Sequence, residues 1–356
     1  MAPRHKLVFW AIMLAFPVVA FILGIGQVSY WSMPRLKGIF REDGGPFYAY
    51  DPAVGTVNRP HAQGQWVTLD AKGQAASSFH VFHDRIGARV SAPGEETPAH
   101  VDLLFLGDSV PWGYNVENQD TYPVLAAHEL GASEANLSVG GSGTVQALLL
   151  LRRHLDLGPK VVVYAFVFDH LKRSLLRCGP RFYPMCMDLA YVTFAHDGTP
   201  RIVPASENGI DRVYLQVKWE TGHLDPLTWL VHGVDVAISR LVYSYDGEGA
   251  DDAARQAAAF EYLMREMKAS TDKAGAKLLV FYVPHADMLD PPPTLAAVID
   301  KLKLPYVNPV ADFRAAQAAA KDRPLYLPDG HFGEAGHAAA AAEIAAYVRQ
   351  NKLLGP

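Results

Sequence analysis

The chain has 356 residues, of which 50% are hydrophobic and 19% charged, and its formal net charge is −5. This length and apolar content are enough for one large hydrophobic core with additional segments. The slightly acidic balance argues against a nucleic-acid partner, because a basic surface is the usual mark of such proteins.

The chain opens with an apolar segment. Leu7–Gly26 is almost wholly apolar, and no charged side chain occurs between Leu7 and Pro34. About 20 such residues cross a bilayer as a helix, whereas the apolar core of a cleaved signal peptide is typically about 7–15 residues long. No clear small-x-small cleavage site follows, so we predict an uncleaved, single-pass anchor over residues 1–30 in the inner or plasma membrane. We expect the rest of the chain to be extracytoplasmic, although basic residues on both sides weaken the orientation signal.

Residues 31–100 are rich in Gly, Pro and aromatic side chains and are predicted to form a juxtamembrane segment with short strands, including Ser78–His83. From Val101 onward, strands and helices alternate. The predicted strands are Val101–Leu106, Ala135–Val139, Lys160–Val167, Lys277–Val283 and Tyr306–Pro309, and the predicted helices are Pro123–Leu130, Val145–Leu155 and Asp252–Lys273. This alternation predicts a parallel sheet covered by helices on both faces, within a domain spanning residues 101–350.

An insertion at about residues 171–250 interrupts the alternation. It contains a predicted hairpin over Tyr191–Val203 and an amphipathic stretch over Pro226–Tyr245. Its two cysteines, Cys178 and Cys186, are either unrelated buried thiols or, if the domain is extracytoplasmic, a disulfide that closes a small loop. Two cysteines without a nearby pair of histidines do not make a structural zinc site, so we predict no metal.

The first candidate for chemistry is Ser109. The apolar run Leu103–Leu106 ends at Gly107-Asp108-Ser109, and Gly113 follows four residues after the serine. A buried strand that ends at a small polar turn places a hydroxyl at the carboxyl edge of the sheet, where ligands bind in open α/β folds. A serine here is usually only a turn or cap residue, so a nucleophilic role requires a base and oxyanion donors elsewhere.

The candidate base lies near the end of the chain, in the sequence LPDGHFGEAGH. Asp329 and His331 are two residues apart, so one turn could supply an imidazole to accept the serine proton and a carboxylate to orient it. His337 is a rival base. It falls further along, inside an Ala-rich helix, where a packing or capping role is expected.

The candidate oxyanion donors lie in NLSVGGSGT, Asn136 to Thr144, which follows the second predicted strand. Backbone N–H groups approach a substrate oxygen closely only where side chains do not obstruct them. We predict an oxyanion hole formed by the N–H groups of Ser109 and Gly141, with Gly140 and Gly143 as alternatives to Gly141.

On these motifs the chain resembles the SGNH, or GDSL, hydrolases. The resemblance covers roughly residues 101–350 and implies a flavodoxin-like three-layer α/β/α fold with a central parallel sheet. It also implies a Ser109, His331 and Asp329 triad without cofactor. The second block of the family, an asparagine followed five residues later by an oxyanion glycine, matches Asn136 and Gly141.

Two further features look like bacterial membrane-anchored and polysaccharide-modifying relatives. One is the short Asp-Gly-His spacing, because many members of the family have one more residue between the acid and the base. The other is the stretch HDRIGARV, with Asp84, Gly87 and Arg89.

The third block departs from the family pattern, Gly-x-Asn-Asp, in which the asparagine side chain is an oxyanion donor. Phe166 and Phe168 stand at the glycine and asparagine positions, and only Asp169 is kept. Phenylalanine cannot donate a hydrogen bond, and loss of one oxyanion donor typically costs about 2.7–4 kcal/mol of transition-state stabilisation. His170 or a residue of the insertion is a candidate replacement. The other common serine-hydrolase fold fits less well, because its Gly-x-Ser-x-Gly elbow would place glycine where Pro111 stands.

Three functions follow as alternatives. The first is a membrane-anchored serine esterase acting on an acylated small molecule or polysaccharide. The second is an O-acyltransferase, such as an acetyltransferase, of cell-envelope or secreted polysaccharide, with a possible membrane-protein partner. The third is a catalytically weak domain that binds glycans or acts as a scaffold, which the phenylalanines of the third block suggest.

Overall fold

The computed structural model describes Met13 and residues 40–69, 74–177, 189–207, 250–286, 289–319 and 324–355. The strands are β1 (Phe40–Asp43), β2 (Tyr48–Asp51), β3 (Gly55–Asn58), β4 (Gln63–Leu69), β5 (Ala75–Phe82), β6 (Leu103–Leu106), β7 (Glu134–Asn136), β8 (Val161–Phe166), β9 (Tyr191–Phe194), β10 (Pro200–Val203), β11 (Lys277–Tyr282) and β12 (Tyr306–Val307). The α-helices are α1 (Ser109–Trp112), α2 (Tyr122–Leu130), α3 (Thr144–Arg153), α4 (His170–Arg173), α5 (Ala253–Ala274), α6 (Pro293–Leu302), α7 (Val310–Ala319) and α8 (Glu334–Gln350).

The central sheet has five strands in the order β7-β6-β8-β11-β12, and every neighbouring pair is parallel. Numbered along the chain from β6, this order is 2-1-3-4-5, the doubly wound order of flavodoxin-like folds. The predicted α/β class with a central parallel sheet is therefore confirmed. The chain adds β7 on one side of β6 and then β8 on the other side, so the strand order reverses between β6 and β8. The carboxyl ends of these two strands are therefore the expected ligand-binding crevice.

Helices cover both faces of this sheet, because successive residues of a strand point to opposite faces and both sets of residues are apolar. On β8, Val162 and Tyr164 belong to the core cluster formed with α3, α5 and α6. Val161 and Val163 belong to the cluster formed with α2, α7 and α8. All six residues of β8 are buried, as expected for a central parallel strand. The arrangement is the three-layer α/β/α architecture that the resemblance implies.

The predicted elements differ from the observed ones mainly at their ends. The strand predicted over Ala135–Val139 is β7, Glu134–Asn136. Beyond it the chain leaves regular pairing but stays beside β6, since the N–H groups of Leu137 and Val139 donate to the carbonyls of Phe105 and Gly107. This short irregular run carries the chain to the carboxyl edge of the sheet.

The described part of the segment before residue 100 forms an antiparallel sheet of order β1-β4-β5 and a β2–β3 hairpin. Its aromatic residues Phe47, Tyr48 and Trp66 share one core cluster with Trp112 of α1. The backbone N–H of Arg89 donates to the Asn136 carbonyl, which attaches this region to the free edge of β7. These strands therefore pack directly on the α/β layers, and the domain limits given above stay a prediction.

Several predicted features lie outside the described residues: all of Leu7–Gly26 except Met13, both Cys178 and Cys186, and the stretch Pro226–Tyr245. The hairpin predicted in the insertion is present as β9 and β10, paired antiparallel. In the part of the chain that the structure describes, no helix combines the length and the apolar character needed to span a bilayer.

Candidate active site

Ser109 is the first residue of α1, directly after the turn that ends β6. The turn is tight at Gly107, where a Cβ atom would lie 2.6 Å from Pro111 Cγ and 3.0 Å from Ala165 Cβ. Asp108 caps the helix by accepting the Val110 N–H at 3.2 Å. Because a first-turn N–H has no partner within its helix, the Ser109 N–H is free of the helical hydrogen-bond ladder.

The three residues of the predicted triad come together, although 222 positions separate the serine from the histidine. Ser109 Oγ lies 2.8 Å from His331 Nε2, a hydrogen-bond distance. On the other side of the ring, His331 Nδ1 lies 3.3 Å from Asp329 Oδ1. The same Asp329 oxygen accepts the backbone N–H of His331 at 3.1 Å. One carboxylate oxygen therefore contacts both the backbone and the ring of the candidate base.

Gly330 allows this compact Asp-Gly-His turn. Its φ is +87°, in the left-handed region, and a Cβ atom there would collide with the ring of His285. The turn is closed by the Gly330 N–H, which donates to the Leu327 carbonyl, and by the Leu327 N–H, which donates to the His331 carbonyl. His285 follows β11, so a third strand end borders the site.

Asp329 is suited to pair with a histidine at neutral pH. Partial burial raises its pKa, but the close contact with the His331 ring, the charge of that ring and the hydrogen bond from the His331 backbone N–H outweigh this effect and hold the pKa below its usual value. An ionised Asp329 favours the tautomer with the proton on Nδ1. Nε2 is then free to accept the Ser109 proton across the 2.8 Å contact.

The ring of His337, the rival base, is enclosed by the protein. It is fully buried on α8, and its Nδ1 accepts the Tyr122 N–H at 3.1 Å. Burial lowers its pKa to about 3. The packing and capping role expected from the sequence is what the structure shows.

The glycine-rich loop lies beside the nucleophile turn. Val139 N–H donates to the Gly107 carbonyl, and a turn closed by Ser142 N–H to the Val139 carbonyl follows. Within it, Gly141 has a left-handed φ of +75°. Gly140 is held closely, since a Cβ atom on it would lie 2.5 Å from the Tyr48 hydroxyl. The predicted donors Ser109 and Gly141 thus belong to two loops that are hydrogen-bonded to each other.

The phenylalanines of the third block pack in or against the core and do not replace the missing oxyanion donor. Phe166 is fully buried against Phe260, with ring centroids 4.9 Å apart, and Phe168 packs partly buried against the cluster on the opposite face of the sheet. His170, the replacement donor suggested by the sequence, is fully buried. Its Nδ1 lies 2.8 Å from the Tyr164 hydroxyl and its Nε2 3.6 Å from Asp108 Oδ2. It therefore lies behind the nucleophile turn, where it cannot reach a substrate oxygen, and that suggestion is wrong for this structure.

Tyr114, which no sequence motif indicates, contacts the candidate base. Its ring centroid is 4.5 Å from that of His331, and it makes T-shaped contacts with Trp66 and Phe79, each with centroids 5.8 Å apart. Tyr114 belongs to the loop after α1, where an aromatic residue has no distinctive spacing. It connects the N-terminal sheet to the imidazole.

Arg89 fixes the loop that carries Tyr114. The guanidinium is 2% exposed and donates to the carbonyls of Trp112, Val116 and, in β5, His80. It also donates to the Gly113 carbonyl and to Asn118 Oδ1. Burial lowers its pKa to about 9, with no carboxylate among these five acceptors. The stretch HDRIGARV thus contributes a structural clamp next to the site.

No family model and no curated protein matches the sequence. Among solved structures, the chain is similar to a GDSL-like lipase from Bacteroides thetaiotaomicron, with 14% identity and a TM-score of 0.36 over 72% of this chain and 93% of that one. It is similar to a carbohydrate esterase family 2 enzyme with a carbohydrate-binding domain from Corynascus thermopiles, with 13% identity and a TM-score of 0.37 over 88% and 92% of the two chains. A third is an acetyl xylan esterase from Butyrivibrio proteoclasticus, with 12% identity and a TM-score of 0.34 over 72% and 66%.

Proposed function

We propose that this chain is a serine esterase of the SGNH type. The observation that carries the proposal is the contact of 2.8 Å between Ser109 Oγ and His331 Nε2, at the carboxyl edge of a flavodoxin-like sheet. A serine, an imidazole and an ionised carboxylate in this order can activate a hydroxyl at neutral pH.

In the proposed reaction, Ser109 Oγ attacks the ester carbonyl while its proton passes to His331 Nε2. Asp329 holds the imidazole in orientation and stabilises its positive charge. The tetrahedral intermediate collapses as His331 gives the proton to the leaving alcohol, which leaves an acyl group on Ser109. A water molecule, deprotonated by His331, then attacks this acyl-enzyme and releases the carboxylic acid and free Ser109.

The oxyanion of each tetrahedral intermediate would be held by the N–H groups of Ser109 and Gly141. With phenylalanine at the third-block position, this hole has two backbone donors where the family pattern has an additional asparagine. A modest turnover number is the expected consequence.

We propose acylated small molecules or polysaccharides as the substrate class. We also propose that Leu7–Gly26 anchors the chain in the inner or plasma membrane, with the esterase domain outside the cytoplasm. Both proposals rest on the sequence, including the resemblance to membrane-anchored, polysaccharide-modifying relatives.

A fluorophosphonate probe tests the nucleophile. Because such probes react with activated serines, we expect stoichiometric labelling of the wild type and none of Ser109→Ala. Ser91→Ala, which removes a hydroxyl outside the site, is the matched control and should label normally. Equal labelling of wild type and Ser109→Ala would overturn the assignment.

Turnover of a small acetyl ester distinguishes the three functional alternatives. An esterase releases acetate to water, whereas an acyltransferase passes acetyl to an added oligosaccharide in preference to water. Turnover abolished by His331→Ala would exclude a purely binding or scaffold role. Absence of labelling and of turnover in the wild type would favour that role.

A further inference from the structure

Arg173 lies at the end of α4, next to the site, and is not used by the mechanism above. Its Nη1 donates to Asp108 Oδ2 at 2.8 Å and to the Ser142 carbonyl at 3.2 Å. Its Nη2 donates to Asp169 Oδ2 at 3.1 Å. The side chain is 15% exposed, so the guanidinium is largely shielded from water.

Two of these acceptors belong to the two segments that supply the proposed oxyanion donors, and the third, Asp169, belongs to the third block. Asp108 precedes the nucleophile and caps its helix. Ser142 follows Gly141 directly, and Asp169 is the residue that the third block retains. One planar cation thus connects the Ser109 N–H turn to the Gly141 N–H loop.

The connection between Arg173 and Asp108 is a strong one. Asp108 is 2% exposed, and its pKa lies well below its usual value because the contacts with His170 and Arg173 and the hydrogen bond from Val110 outweigh its burial. A buried, ionised carboxylate requires a paired cation. The guanidinium also suits the position better than an ammonium, because its two terminal nitrogens, held in one plane, donate to the three acceptors in fixed directions.

The backbone confirms how closely the loop and the helix meet. A Cβ atom on Gly143 would lie 3.0 Å from Arg173 Cβ. The glycine therefore allows α4 to approach the oxyanion loop closely enough for the contact with the Ser142 carbonyl.

We propose that Arg173 is a positioning residue for the oxyanion hole, which fixes the spacing of the two backbone donors in a chain that lacks the third-block asparagine. This inference rests on the proposed esterase function. A displacement of about 1 Å in such a site can cost about 10²-fold in rate. The effect should appear in kcat, because the oxyanion forms only after substrate binds.

Arg173→Lys tests the inference, because it keeps the charge beside buried Asp108 but loses the fork. We expect kcat for an acetyl ester to fall about 10²-fold with KM changed less than about threefold. The rate of fluorophosphonate labelling should fall in parallel, with little change in thermal stability. Lys172→Met is the matched control: it removes a cation from the same helix whose ion pair, within the described part of the chain, is with exposed Asp251, and it should leave kcat unchanged.

Two further variants keep the test decisive. Asp169→Asn removes the negative charge of the exposed carboxylate that pairs with Arg173 Nη2. It should lower kcat by a smaller factor without affecting folding. In Arg173→Ala, added guanidinium chloride at low concentration should restore part of kcat, while sodium chloride should not. Wild-type kcat in both Arg173→Lys and Asp169→Asn, or a loss of kcat fully explained by lower thermal stability, would overturn the proposal. An inactive, unlabelled wild type would instead overturn the esterase function itself.

Discussion

At the scale of single residues, the orientation of His331 has two sources. Asp329 Oδ1 approaches the ring at Nδ1, but the same atom also accepts the His331 backbone N–H. Tyr114 packs on the ring itself, with centroids 4.5 Å apart. Because a carboxylate shared in this way restrains the ring less than a dedicated one, we expect the aromatic contact to contribute to the orientation of the imidazole.

Replacing Tyr114 should therefore change catalysis through His331. We expect Tyr114→Leu to lower kcat for an acetyl ester by about 10-fold or more, because the imidazole loses its neighbouring ring. Tyr114→Phe retains the ring and should keep most of kcat. The two variants are compared by steady-state kinetics, with thermal denaturation as the check on folding. Equal kcat in the leucine and phenylalanine variants would show that the ring has no such role.

The residues of the site differ in how far the sequence predicts them. Asp329 and His331 stand in one short motif whose spacing reflects a local turn, and Ser109 stands in another, 222 positions away; the resemblance to SGNH hydrolases predicts that the two motifs meet. Tyr114 and Arg173 act through tertiary contacts, with partners up to 217 positions away, and no local pattern indicates them. His170 was wrongly suggested as an oxyanion donor. Its position after β8 does not reveal that α4 turns the His170 ring inward, behind Asp108.

At the scale of elements, hydrophobic runs and glycine turns predict the parallel strands and the main helices well. Strand ends are less predictable, since hydrophobicity continues where pairing stops, as it does beyond Asn136 toward Val139. The short helix α1 was not predicted, because four residues carry no periodicity. Its start depends on the Asp108 cap.

The N-terminal strands contribute to the site more than the sequence suggests. Asn58 of β3 donates through Nδ2 to the Ser138 carbonyl at 2.9 Å, just before the glycine-rich loop. The Tyr48 hydroxyl of β2 lies against Gly140 of that loop. The β2–β3 hairpin thus supports the proposed oxyanion loop through contacts separate from those of Arg173, a long-range relation that sequence patterns cannot reveal.

At the scale of the whole molecule, buried titratable groups make stability depend on pH. Burial lowers the pKa of His83 and of His337 from 6.5 to about 3. His83 Nε2 accepts the Trp112 Nε1–H at 3.2 Å, so protonating this nitrogen breaks that contact. Between about pH 3 and pH 6.5, the unfolded chain binds protons on these histidines that the folded chain does not. The free energy of unfolding therefore rises with pH over this range.

Glu134 acts in the opposite direction. Burial, with the charges of Glu95 and Asp84, raises its pKa from 4.5 to about 8. The folded chain therefore binds the extra proton over this window, and stability falls as pH rises. Since two histidines outweigh one glutamate below pH 6.5, we expect greatest stability near that pH.

Urea denaturation from about pH 4 to about pH 9 measures this dependence, with each group contributing up to about 1.4 kcal/mol per pH unit. Glu134→Gln should remove the decline above the optimum and make the rise between about pH 4.5 and pH 6.5 steeper, because Glu134 opposes the histidines there. A wild-type stability that rises steadily through pH 8, or a Glu134→Gln profile identical to that of the wild type, would contradict this account.

The covalent intermediate offers the most direct test of the whole account, which depends on Ser109 acting as a nucleophile. The protein is mixed with an activated acetyl ester, quenched in acid within the first turnover, and digested for mass spectrometry. We predict one acetyl group on the peptide that contains Ser109, absent from Ser109→Ala and accumulating far more slowly in His331→Ala. Acetylation found only on other residues, or ester turnover without any acetyl-enzyme in the wild type, would contradict the account.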